Sequence, residues 1–169
     1  GLGYYSRARN LHRCAKEVVS RHGGRFPERA ELLQTLPGIG RSTAAAITSL
    51  CFGERVAILD ANVRRVLTRV LGFDGDLASA RSERELWSLA ESLLPSEGQS
   101  PAMPRYTQGM MDLGATVCLP KAPACEQCPV AADCRARAVG APERYPVRSR
   151  KLRRTALSQW LLWLQRPDG

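Results

Sequence analysis

The chain has 169 residues, 44% apolar and 24% charged. That composition suits a globular domain and excludes a disordered tail, a collagen-like fibre and a coiled coil. Twenty-five Lys and Arg against 16 Asp and Glu leave a net charge of +9, which suits an anionic partner, most often nucleic acid, or else a solubilising surface.

The chain opens on Gly1-Leu2-Gly3 rather than Met and carries no basic-then-apolar leader, so it reads as a cytoplasmic fragment of a longer product. Leu11, Cys14, Ala15, Val18 and Val19 repeat at helical spacing and predict a helix that Gly23-Gly24 ends. A short helix follows over Glu28–Thr35. A longer one spans Arg41–Cys51. Val63, Val66, Leu67, Val70 and Leu71 form a further stripe. So do Leu86, Leu89, Ala90, Leu93 and Leu94, with Ser82 and Glu85 as a capping box. Cys14 and Cys51 read as packed thiols. The body is therefore all-α. Near Val139 the character changes to a basic linker over 139–154. Thr155–Gln165 then predicts a strand. It includes the longest apolar run, Trp160–Leu164, far below the ~20 residues of a membrane span. Aromatics, at 6%, are too few for a surface that stacks single strands.

Three patterns carry chemistry. Leu36-Pro37-Gly38-Ile39-Gly40 joins two helices. Its glycines permit positive φ, and the next helix presents free N–H donors and a positive dipole end. With Arg41, Ser42 and Thr43 this suits one or two phosphates of a nucleic-acid backbone, gripped without reading sequence. A plain helix–helix turn is the alternative. Asp60 ends an apolar extended segment just before a helix. It suits an N-cap, a carboxylate that stabilises a developing cation, or both. Asn62 reads as a supporting hydrogen-bonder. Cys118, Cys125, Cys128 and Cys134 stand at C-x6-C-x2-C-x5-C, too tight for a disulfide framework without a leader. One knuckle with single ligands at uneven distances suits an iron–sulfur cubane better than zinc.

These residues, with Gly-Leu-Gly-Tyr-Tyr at 1–5, Leu36–Ala44, Ile58-Leu59-Asp60-Ala61-Asn62-Val63 and Met110–Ala115, resemble adenine DNA glycosylases of the MutY type. These belong to the helix–hairpin–helix glycosylase superfamily. The resemblance covers residues 1 to about 138. It implies a two-lobed all-α fold, with the glycosylase core at 1–117 and a [4Fe–4S] loop at 118–138. The strand at 155–169 would open a truncated Nudix-like domain. It implies a monomer, nucleoid-associated in bacteria, that removes adenine paired with 8-oxoguanine or guanine in double-stranded DNA. Asp60 matches the oxocarbenium-stabilising Asp, although Ala61 stands where the family has Gly. Tyr4 matches the aromatic wedge. Gly38, Ile39, Gly40 and the N–H groups after them match the phosphate grip. The four cysteines match the cluster ligands.

Ser42 stands where endonuclease III-type relatives carry a Schiff-base Lys. Base removal without strand cutting is therefore expected. The family's general-acid Glu motif, E-x-M-x-Q-Q-T-Q, has no match here, so these 169 residues alone are expected to lack appreciable activity. Some apolar helix faces are expected to be exposed. The competing readings are a bifunctional glycosylase–lyase and a non-catalytic DNA-binding module with a structural metal.

Overall fold

Every regular element among the described residues is helical. The structure is a computed structural model and describes residues 5–96, 102–149, 158 and 160. Tyr4 and nearly all of the strand expected at 155–165 lie outside the described residues.

Helix α1 spans Tyr5–His22. It stops where Gly23 and Gly24 take φ of +61° and +81°, conformations that carry no Cβ penalty in Gly. Helix α2 is Ala30–Leu33, shorter than the sequence pattern predicts. The N–H of Ala30 donates to the distant Glu54 carboxylate at 2.8 Å, so its start is fixed by a tertiary contact. Helix α3 runs Arg41–Phe52 and ends at Gly53 with φ +70°. Helix α4 spans Ala61–Leu71, α5 Ala80–Ser92 and α6 Ala102–Asp112. A π-helical turn, Leu113–Val117, continues α6. Beyond it come a 3₁₀ turn at Cys125–Gln127, the short α7 at Arg135–Ala138 and a 3₁₀ turn at Pro142–Arg144.

Helix α3 is the wall between two cores. Ala44 is buried with Cys14, Val18, Leu33 and Leu36. Its neighbour Ala45 is buried with Ile58, Leu59, Val63, Leu67 and Leu86. Successive helical residues point about 100° apart, so two adjacent alanines serve two lobes. Their small side chains let α2 and α6 pack closely on the same helix. On the α6 side the buried Ser49 and Thr107 hydroxyls meet at 2.6 Å.

Three local expectations need correction. The N-cap of α5 is Ser79, whose side chain makes no cap bond; Ser82 lies inside the first turn, because the helix starts earlier than the capping-box pattern suggests. Cys51 is exposed, unlike buried Cys14; it sits on the solvent side of the last turn of α3. The α1 stripe is narrower than its spacing predicts. Only Cys14 and Val18 are buried in α1, while Leu11 and Val19 are 70% and 69% exposed. Phe26 and Leu32 are also exposed, each by 51%, so this lobe carries open apolar surface.

Candidate functional site

Two centres sit at the two ends of α4's surroundings. The first is the turn into α3. Gly38 takes φ +80°, and a Cβ there would stand 2.8 Å from Cβ of Asn10. Glycine thus allows both the turn and the close seat on α1. Gly40 is the N-cap and offers no side chain. The first α3 backbone bond runs from Ala44 N–H to the Gly40 carbonyl at 2.9 Å, which leaves the preceding N–H groups to an outside acceptor. Gly38, Gly40 and Thr43 are exposed, and Ile39 is half-buried.

Arg41 does not join that open turn. Its guanidinium donates to Glu91 at 2.6 Å and lies 3.8 Å over the Trp87 ring. In this structure it ties α3 to α5. Ser42 turns the other way, and its hydroxyl oxygen accepts the N–H of Leu59 at 3.0 Å. That bond fixes the extended segment ending at Asp60. Asp60 is the N-cap of α4 and accepts the Val63 N–H at 2.8 Å, with backbone angles of −73° and −179°. Asp60 is half-buried and its carboxylate sits at the N-terminus of α4. Asn62 accepts from Arg65 at 3.0 Å.

The second centre is the four-cysteine hollow. Cys118, Cys125, Cys128 and Cys134 all line one hollow, walled on the α4 side by Val66 and Arg69. Among the described residues no three His, Cys, Asp or Glu side chains converge on a point that would hold a single metal ion. Burial pushes the Cys125 thiol up, and the neighbouring Cys134, Cys118 and Cys128 add to it, while Arg69 opposes the rise. Four thiolates at this spacing repel one another until a cationic group is placed among them.

The opposing charge is already built in. Arg69 is 2% exposed, and no carboxylate pairs with it among the described residues. It donates to the carbonyls of Leu119 at 2.7 Å, Pro120 at 3.1 Å and Tyr145 at 3.4 Å. It also reaches the Cys118 sulfur at 3.3 Å. One turn earlier, buried Arg65 donates to the carbonyls of Cys118 at 2.7 Å and Gly114 at 2.6 Å. A guanidinium cannot shed its proton, and a buried unpaired charge is costly. The hollow therefore fits an anionic cluster unit held by four thiolates. Sequence reasoning missed both arginines; the available signal was two cations at i, i+4 within an otherwise apolar α4 stripe.

Comparison with known proteins gives consistent results. Residues 1–92 match the family model described as HhH-GPD superfamily base excision DNA repair protein. Over 139 residues the chain is 49% identical to the human adenine DNA glycosylase, covering 81% of this chain and 24% of that protein. It is 39% identical over 163 residues to the adenine DNA glycosylase of Buchnera aphidicola, covering 96% and 45%. The chain thus spans a quarter to just under half of these two relatives. Among solved structures, a thermostable thymine-DNA glycosylase superposes with a TM-score of 0.61 at 34% identity, covering 76% of this chain and 57% of that one. A non-covalent endonuclease III–DNA complex superposes at 0.62 with 27% identity, covering 78% and 58%.

Proposed function

The chain belongs to the HhH-GPD superfamily of base excision DNA repair proteins, and on that premise we propose that it forms the DNA-gripping, cluster-bearing part of an adenine DNA glycosylase. The observation that carries this reading is the bond from the Leu59 N–H to Ser42 Oγ. It ties the hairpin helix directly to the segment that ends at Asp60, so a duplex gripped at one is registered on the other.

In this reading the N–H groups that follow Gly40 at the start of α3, left open by the helix, hold a backbone phosphate of double-stranded DNA. The target adenine, opposite 8-oxoguanine or guanine, leaves the stack, since its glycosidic bond is out of reach inside the duplex. As that bond breaks, positive charge develops on the sugar, and the Asp60 carboxylate stabilises it. Water completes the hydrolysis and leaves an abasic site. Ser42 carries no amine, so no Schiff base forms and the strand stays intact. Protonation of the departing purine falls to a general acid that these residues do not supply. Cys118, Cys125, Cys128 and Cys134 would hold a [4Fe–4S] cluster. Such a cluster would supply a structural cross-link among these four side chains and a negative charge, for which Arg69, bonded to the Cys118 sulfur, would be a counter-charge. Lys121, in the loop between the first two ligands, faces solvent and would meet the DNA backbone.

The test uses holoprotein purified without oxygen that carries the family's general-acid Glu. Incubated with an 8-oxoguanine:adenine duplex, it should release adenine and leave a strand that breaks only under hot alkali. Borohydride should trap no adduct. A trapped adduct would establish the lyase reading instead. Zinc without sulfide, and no adenine release, would establish the non-catalytic binding module.

A further inference from the structure

The six residues between Cys118 and Cys125 form a loop held at its two ends. At the entry, Arg69 grips the Leu119 and Pro120 carbonyls. At the exit, the Ala124 N–H donates to the Val117 carbonyl at 3.0 Å. Between them Lys121 and Ala122 make an exposed tip. Ala122 has φ +45°, a left-handed conformation disfavoured by its Cβ. A strained, exposed tip relaxes unless something holds it. One side chain does so: the Glu143 carboxylate accepts the Ala122 N–H at 2.7 Å.

Glu143 is itself well anchored. It lies in the 3₁₀ turn after α7, where the Arg144 N–H donates to Ala141 and the Tyr145 N–H to Pro142. The Tyr145 carbonyl accepts from Arg69. The turn that carries Glu143 is thus held, at its Tyr145 end, by the same guanidinium that fixes the loop entry.

We propose that Glu143 is a positioning residue for the cluster loop: it latches the tip at Ala122 so that Lys121 is presented to a DNA phosphate in one geometry. This rests on the proposed function, in which that face meets duplex DNA. A presented cation pays less ordering entropy on binding than a free-ranging one. An anion retained beside a DNA-facing lysine is otherwise unhelpful, because it repels phosphate.

The experiment measures duplex affinity by fluorescence anisotropy across a salt series, using holoprotein and the variants Glu143→Ala, Glu143→Gln and Lys121→Ala, singly and combined. Iron and sulfide are assayed on each sample. Lys121→Ala should weaken binding several-fold and flatten the salt slope by about 0.9, the value of one phosphate contact. Glu143→Ala should also weaken binding, and Lys121→Ala should then add little. Glu143→Gln, whose amide oxygen accepts the same N–H, should bind as tightly as wild type or more tightly. Tighter binding by both Glu143 variants would show a merely repulsive surface anion and overturn the proposal. So would an undiminished Lys121→Ala effect in the Glu143→Ala background, or cluster loss in Glu143→Ala. Failure of the wild-type holoprotein to bind any duplex would count against the proposed function itself.

Discussion

Asp60 has an observed role and a proposed one, and substitution can separate them. As the N-cap of α4 it accepts the Val63 N–H at 2.8 Å. As a carboxylate it would stabilise the sugar cation. Asp60→Ala removes both. Loss of the cap costs about 1 kcal/mol, which lowers the melting temperature of a chain this size by roughly 2–4 °C. Asp60→Asn keeps an acceptor for Val63 and loses only the charge at the helix dipole, ~0.3–1 kcal/mol. Asn should therefore melt above Ala and close to wild type. The rate should not follow that order. Removing preorganised stabilisation of a developing charge typically costs about 10²–10³-fold, and both variants lose the charge. The assay is single-turnover adenine release, in protein that carries a general-acid glutamate, alongside thermal melting. Asn within about fivefold of the wild-type rate would make Asp60 a cap and nothing more, against the ~10²-fold expected. Asn melting as low as Ala would show that the amide fails to cap, and the rate loss would then reflect damage to α4.

Three further outcomes are expected. Arg69→Leu strips the 118–120 loop of its donors and the hollow of its counter-charge, at a cost on the order of 3 kcal/mol. Iron and sulfide per chain should fall with the melting temperature, and Arg69→Lys should not rescue them, because an ammonium cannot span carbonyls in fork geometry; full cluster content in Arg69→Leu would refute this. Gly38→Ala drives a Cβ to 2.8 Å from Asn10 in a positive-φ turn. It should weaken duplex binding equally for every sequence, as expected of a phosphate contact, and base-selective weakening would contradict the grip. Asp76 holds the outgoing segment: its carboxylate accepts from Ala78 N–H, Ser149 N–H and the Ser149 hydroxyl. The Ser149 hydroxyl, then the backbone donors, pull its pKa below the ordinary value. A depressed carboxylate contributes above its unfolded pKa and loses that contribution only as pH falls through the folded one. The protection factor of the Ser149 amide should therefore stay constant between about pH 5 and 8, and should fall in Asp76→Asn; unchanged protection in Asp76→Asn would dismiss the anchor.

Much of this was legible because it is local. The α4 and α5 stripes repeat every three or four residues, and Val63, Val66, Leu67, Leu86, Ala90 and Leu94 are buried as the period selects, although Leu93, placed in the same stripe, is 44% exposed. Asp60 caps the helix that starts one residue later, a relation written within four positions. What stayed hidden is long-range. Arg41 meets Glu91 fifty residues on, and no local pattern distinguishes that from an arginine waiting for phosphate. Arg65 and Arg69 reach the cysteine loop across 49 to 53 residues. Cys51 follows Leu50 in an apolar run, yet lies on the one arc of α3 that neither core uses.

These long-range contacts decide how the two centres relate. Asp60 stands at the N-terminus of α4, and Arg65 and Arg69 stand one and two turns along the same helix. A helix of 11 residues is short and stiff, so the spacing along it from Asp60 to Arg65 and Arg69 is fixed by helical rise, ~1.5 Å per residue. Gly114 completes the joint. A Cβ there would sit 2.7 Å from Cβ of Asn62, so α6 and its π-turn close directly onto the first turn of α4. Its carbonyl accepts from Arg65, and Arg65 in turn holds Asn62. A cluster that drew its four ligands together would therefore fix the loop, the loop would fix both arginines, and these would fix the turn that presents Asp60. Gly114→Ala separates this coupling from simple folding. The added methyl pushes on Asn62 rather than on any cysteine. A reduced rate with full iron content is the outcome that coupling requires, and an unchanged rate would break the chain of contacts at that joint.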